Sequence, residues 1–177
     1  MSKVKVATVW LDGCSGCHMS FLDMDERLVA LAGKVDIVYS PLVDPKNFPD
    51  MVDVTLVEGA VSSEDDLNKI LKIREHSRII VSLGDCAVTS NVPCMRNAYS
   101  VDEVLERAYV DNATLVKKPP TRVVPKLLPK ARPVHEVVKV DVFVPGCPPS
   151  ADTIHFVLTE LIAGRIPDTN TITRFGA

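Results

Sequence analysis

Three short apolar runs that each break off at a glycine constrain this chain more than any other feature. They read VATVWLDG from residue 6, IIVSLGD from residue 79 and VDVFVPG from residue 140. Cysteines follow at once: Cys14 and Cys17 after the first, Cys86 after the second and Cys147 after the third. If the runs are parallel strands, their carboxyl ends share one side of a sheet and the loops beyond them line one crevice. Thiols from three separate loops then converge on one edge, which suits an iron–sulfur or zinc site.

The spacing between the runs supports that premise. Val4 to Leu11 reads as a strand, and His18 to Leu31 carries Phe21, Met24, Leu28 and Leu31 as a helical stripe. Val35–Tyr39 and Val52–Val57 are further strand candidates. Ser62 or Ser63 can cap a helix whose first turn holds Glu64, Asp65 and Asp66, where carboxylates suit free amides and the positive dipole end. The expected buried face of that helix is Leu67, Ile70, Leu71 and the stem of Arg74. Ile79–Leu83 is almost wholly apolar, as befits a strand covered on both faces. Val140–Val144 closes the sheet, and Ile154, Val157, Leu158, Leu161 and Ile162 give a last amphipathic helix. Strands alternating with helices predict an α/β fold, a flavodoxin-like doubly wound parallel sheet with the cysteine site at the carboxyl ends of its strands.

With 177 residues, 46% of them hydrophobic and 24% charged, one core is expected, so residues 1–177 read as a single domain. A net charge of −3 gives no reason to expect nucleic acid, and no apolar run is long enough for a membrane span. The first residues enter a core strand without a signal-peptide pattern, so a cytoplasmic location is expected, where five cysteines favour metal or redox chemistry over disulfides. One stretch behaves differently. Residues 117–139 form a Pro/Lys-rich insertion in which Pro119, Pro120, Pro125, Pro129 and Pro133 alternate with cations, excluding a regular helix or a central strand. A solvated linker and a surface for a partner subunit explain it equally well.

Three chemistries compete for the thiols. Structural zinc commonly draws on two short ligand pairs, and only Cys14 and Cys17 are paired here. Thioredoxin-like redox chemistry uses a C-x-x-C between strand and helix but leaves Cys86 and Cys147 unexplained. A [4Fe–4S] cluster needs four thiolates and accepts scattered ones, and it is the favoured reading. Gly13, Gly16, Gly84 and Gly146 would turn the backbone and leave amides free to approach the cluster, or serve only as strand-to-loop turns. Cys94 follows no glycine-ended run and reads as a packing residue. His18, His76, His135 and His155 show no ligand spacing and read as structural or surface groups. Glu58 in VTLVEGAV sits on the cysteine edge, either to bind loop amides or as a proton relay or subunit contact.

The motifs LDGCSGCH, VEGAV, GDCAVTSNVPCMRN and VFVPGCPPS, spread from Val4 to about Gly164, resemble the small subunit of [NiFe] hydrogenases, most closely the cytoplasmic NAD-linked group. The resemblance implies one proximal [4Fe–4S] cluster held by Cys14, Cys17, Cys86 and Cys147. It implies a nickel–iron centre in a partner large subunit, and an iron–sulfur and flavin diaphorase that reduces NAD. The chain alone would be inactive. Glu58 matches the family's glutamate at the subunit boundary. Exported relatives add a leader and a second cluster-bearing domain, neither of which is expected here. The related subunit of quinone-linked complexes has adjacent cysteines where this chain has C-x-x-C. A relay subunit of a ferredoxin-, F420- or quinone-linked complex is the alternative. FMN is not predicted, because no Ser/Thr/Gly-rich phosphate loop is present.

Overall fold

In the computed structural model, which describes residues 3–176, five parallel strands form the central sheet. They are β1 (Val4–Trp10), β2 (Val35–Tyr39), β3 (Val52–Glu58), β5 (Ser77–Leu83) and β7 (Val142–Val144), in the order β2-β1-β3-β5-β7. Numbered within the sheet alone this is 2-1-3-4-5, the flavodoxin-like order, whose switch point lies between β1 and β3. The expected α/β architecture is the one observed. The ends of the 1–177 span, residues 1–2 and 177, lie outside the described residues.

Side-chain alternation builds a core on each face. Val54 and Leu56 of β3 join Val6, Val81 and Val142 beneath α1 (Gly16–Leu22), α2 (Glu26–Leu31) and α6 (Ala151–Ile162). Val57, one residue on, joins Val9, Ile80 and Val61 beneath α3 (Glu64–His76). The predicted helical stripe of α6 is buried at Ile154, Val157, Leu158 and Leu161.

Several expectations are corrected. The helix expected over His18–Leu31 is two helices, because Asp25 takes φ +50° at the join. Phe21, Met24 and Leu31 are nevertheless all buried, so the stripe was sound although the helix is broken. In α3 the buried pair is Ile70 and Ile73, whereas Leu71, a 100° step from Ile70, is exposed. The Arg74 guanidinium reaches out to the Asp141 carboxylate at 2.8 Å and the Lys139 carbonyl at 3.0 Å. β7 begins two residues later than predicted because Asp141 spends its carboxylate on the Ile80 amide, 2.9 Å away.

Ser63 caps α3 in a full capping box. Its hydroxyl accepts from the Asp66 amide at 3.1 Å, and the Asp66 carboxylate accepts from the Ser63 amide at 3.0 Å. Ser63→Ala should therefore cost about 1 kcal/mol, read as a lower midpoint in anaerobic urea unfolding. Within the Pro-rich insertion, β6 (Leu127–Arg132) pairs antiparallel with β4 (Val61–Ser63) in a separate two-stranded sheet. Pro129 is tolerated there because a two-stranded sheet has only edge strands. Two short helices precede it, α4 (Asp85–Thr89) and α5 (Val101–Glu106).

Candidate functional site: a four-cysteine crevice

The crevice at the carboxyl ends of β1, β3, β5 and β7 receives all four predicted cysteines. Cys14 and Cys147 are exposed, Cys86 is half-buried and Cys17 is buried. Between the first two, Ser15 adopts φ +67°, a left-handed turn that costs a non-glycine residue about 1 kcal/mol or more and starts α1 within the C-x-x-C. The Gly16 amide points back at the Cys14 sulfur, 3.4 Å away. Gly84 takes φ +81°, and a Cβ there would lie 2.2 Å from Cys17 Sγ, so the glycine leaves the hollow in which that sulfur sits.

The thiols influence one another. Burial pushes the Cys17 thiol far above its ordinary range, and the Glu58 carboxylate and then Cys86, Cys14 and Cys147 add to the shift. Burial also raises Cys86, an amide hydrogen bond from Val92 offsets part of that, and Cys14, Cys147 and Glu58 again push upward. Each of these two cysteines thus senses the charge of its neighbours, although they come from three loops. Four uncompensated thiolates would repel at such range, so this donor set suits a strongly cationic metal group.

Among the described residues, no three His, Cys, Asp or Glu side chains are drawn together closely enough to hold a single metal ion. A lone zinc ion would gather its sulfurs into one sphere at about 2.3 Å from the metal. A cubane takes one thiolate at each iron, so its donors stand apart around a larger body. Four thiols delivered by three loops can supply the four donors that such a cluster takes.

Glu58 ends β3 inside the crevice, 1% exposed. Its carboxylate accepts from the amides of Cys17 at 3.4 Å and His18 at 3.1 Å, and it pairs with His18 Nδ1. His18 Nε2 meets Thr8 Oγ1 at 3.0 Å, and that hydroxyl donates to Ser40 Oγ at 2.8 Å. Of the two readings the sequence offers for His18, structural or surface, its burial agrees with the first, and its partners add the contact with Glu58. Its position directly after Cys17, with a carboxylate expected on the same edge, was the available signal.

Asp85 was missed altogether. It is buried beside Cys86, where Oδ1 accepts from the Gly146 amide and Oδ2 from the Gly176 amide, both at 2.7 Å. Its own amide returns to the Gly146 carbonyl at 2.9 Å, closing a ring between the Cys86 and Cys147 loops. Asn91 Nδ2 approaches Cys147 Sγ at 3.6 Å. Of the four predicted glycines, Gly84 and Gly146 have positive φ. Gly13 serves a close approach instead, since a Cβ there would stand 3.2 Å from Gly59 Cα. Cys94 lies apart, its thiol donating to the Asn91 carbonyl at 2.9 Å.

Residues 14–161 match the family described as NADH ubiquinone oxidoreductase, 20 Kd subunit. The NAD-reducing hydrogenase HoxS subunit delta of Cupriavidus necator is 46% identical over 168 residues, covering 92% of this chain and 80% of that protein. A subunit of the F420-non-reducing hydrogenase of Methanocaldococcus jannaschii is 38% identical, covering 93% of this chain, which spans only 58% of that relative's length. Among solved structures, a chain in the crystal structure of an NAD+-reducing [NiFe]-hydrogenase in the H2-reduced state is 37% identical. It superposes with a TM-score of 0.93 over 98% of this chain and 99% of its own. A chain of the Dm. baculatum [NiFeSe]-hydrogenase, 17% identical, shares the fold with a TM-score of 0.64 over 99% of this chain and 70% of its own.

Proposed function

The chain belongs to the NADH ubiquinone oxidoreductase 20 Kd subunit family and, by homology, stands with the small subunits of NAD-reducing [NiFe] hydrogenases; from that premise we propose that it holds one proximal [4Fe–4S] cluster. Through it, electrons would pass between the nickel–iron centre of a large subunit and an NAD-reducing diaphorase. The observation that carries this reading is the convergence of four thiols from three strand ends, where Cys17 and Cys86, raised chiefly by burial, are raised further by cysteines of the other loops. Cys14, Cys17, Cys86 and Cys147 are the proposed ligands, within a single domain spanning residues 1–177. The cluster, when bound, supplies reversible one-electron transfer.

The protein's own residues prepare that site. Glu58 fixes the C-x-x-C loop through the Cys17 and His18 amides, and Asp85 fixes the spacing of the Cys86 and Cys147 loops. Of the two roles proposed for Glu58, the hydrogen-bonded line through His18 and Thr8 to Ser40 favours the relay over the subunit contact. Glu58→Gln keeps the shape but turns one acceptor into a donor against the loop amides. It should cost about 1–3 kcal/mol of stability, measured by thermal unfolding under anaerobic conditions. A cytoplasmic location is part of the proposal, because a cysteine-ligated metal site suits a reducing compartment. Among the described residues no helix is long and apolar enough to cross a membrane.

The relatives named coenzyme F420 hydrogenase subunit gamma support a second reading, a relay in a complex with an acceptor other than NAD. Anaerobic purification through a tag on this chain, with metal and sulfide analysis and EPR of the reduced sample, tests both. About four irons per chain beyond those of its partner subunits, copurified nickel and H2-dependent NAD reduction are expected for the first reading. Iron and nickel without NAD reduction would favour the second, and zinc without iron would overturn both.

A further inference from the structure

We propose that the proline-rich insertion is a docking platform for an acidic surface of a partner protein. From residue 113 to 135 the chain carries Lys117, Lys118, Arg122, Lys126, Lys130 and Arg132 without one Asp or Glu, in a protein whose net charge is −3. Among the described residues only Lys126 of these six makes an ion pair, with Glu64 at 3.4 Å. The other five cations have no carboxylate partner among the described residues.

The same segment exposes apolar side chains that a solvated linker has no use for. Leu115 is 92% exposed, Val116 74% and Val123 fully exposed. Beside them a cleft of about 920 Å³ opens between Val101, Leu105 and Tyr109 on one wall and Pro120, Val124 and Leu127 on the other. Glu64 and Asp102 are its acidic lining groups. Lys126, paired with Glu64, is the cation that lines this cleft, while the unpaired Lys117, Lys118, Arg122 and Lys130 lie within three positions of its lining residues Pro120, Thr121 and Pro129 in the chain. Cations and exposed apolar side chains in one segment suit a partner surface that offers carboxylates around an apolar anchor.

The carboxyl-terminal part of the segment is held by hydrogen bonds to the rest of the fold. Arg96, in the 3-10 helix Val92–Ala98 that follows the Cys86 loop, donates to the carbonyls of Ser62 and Leu128 at 3.0 Å. Asn97 clasps Ala131 in both directions at 2.8 Å, and the Glu64 amide donates to the Lys126 carbonyl at 2.9 Å. Nucleic acid suits the segment less well, since residues 110–134 contain no aromatic side chain on which a base could stack.

The test uses the assembled complex. Carbodiimide joins lysine to carboxylate with no spacer, and cross-links from Lys117, Lys118 or Lys130 to Asp or Glu of a copurified subunit are expected. Lys117→Glu/Lys118→Glu should weaken that association about tenfold or more at low salt, with the deficit shrinking as salt is raised. Lys69→Glu/Lys72→Glu, exposed lysines on α3, make the same charge change elsewhere and should leave association unaltered. Cross-links confined to Glu64 or Asp102 of this chain, or equal weakening by both variants, would overturn the proposal. So would binding of phosphatidylserine vesicles or a single-stranded oligonucleotide that Lys117→Glu/Lys118→Glu abolishes while the complex stays intact. Iron content and EPR report the cluster separately, so failure of the platform is distinguishable from failure of the cluster assignment.

Discussion

Replacing Cys17 with serine is expected to strip the chain of the proposed iron–sulfur cluster and to lower its unfolding midpoint in the same experiment. Cys17 is the only one of the four proposed ligands that is buried, packed in the same core as Phe21, Leu83 and Val144. Serine there would leave a hydroxyl in an apolar hollow and remove the softest donor available to iron, so binding and packing fail together. Metal affinity in such a site is also folding free energy, because no preformed site exists in the unfolded chain. Anaerobic iron and sulfide analysis should fall by about four irons per chain. Cys94→Ser provides the contrast. That thiol donates only to the Asn91 carbonyl, a bond a hydroxyl can reproduce, so iron content should be unchanged. Full iron in Cys17→Ser, or loss of iron in Cys94→Ser, would move the cluster to a different set of ligands.

What could be read from the chain beforehand follows the range of the interactions involved. The β1, β3 and β5 runs were legible because burial on both faces forces near-continuous apolar sequence, and the α6 stripe because one face alone is buried. From those followed the fold class and the edge that bears the cysteines. The break at Asp25 was not legible, since Phe21, Met24, Leu28 and Leu31 keep helical spacing across it. Nor was the start of β7, which Asp141 delays by a bond to Ile80, a residue on another strand. In the crevice the thiols announced themselves by type and position. Asp85 and His18 did not, because their roles lie in bonds to Gly146, Gly176, Glu58 and Thr8, and such partners carry no local pattern. Gly59 was overlooked for the same reason: its neighbour across the crevice is Gly13, 46 positions earlier in the chain.

That pair of glycines sets the second large effect. Leu11, Asp12 and Gly13 leave β1 directly against Glu58, Gly59 and Ala60 leaving β3, at the switch point of the sheet. The Leu11 amide donates to the Glu58 carbonyl at 2.9 Å, Asp12 donates to Ala60 at 3.1 Å, and Ala60 returns a bond to Asp12 at 2.8 Å. Gly59 has φ +92°, and a Cβ on it would lie 2.8 Å from both the Asp12 oxygen and the Leu11 carbonyl carbon. Both obstacles are backbone, so no side-chain rotation relieves them. Gly59→Ala therefore carries the cost of a left-handed conformation together with a steric shift of two strand ends, on the order of 2–4 kcal/mol. Relief can come only by parting the two segments, which would draw Cys14 away on one side and the Glu58 carboxylate away from the Cys17 and His18 amides on the other. The variant should thus unfold at lower denaturant and also bind less iron per folded chain. Gly33→Ala makes the informative contrast, since a Cβ there meets nothing nearer than the Ala30 carbonyl at 3.8 Å. It should leave iron content untouched. If Gly59→Ala loses stability but loads iron fully, the crossing of β1 and β3 supports the fold without setting the geometry of the cysteine loop, and Glu58 alone would have to hold it.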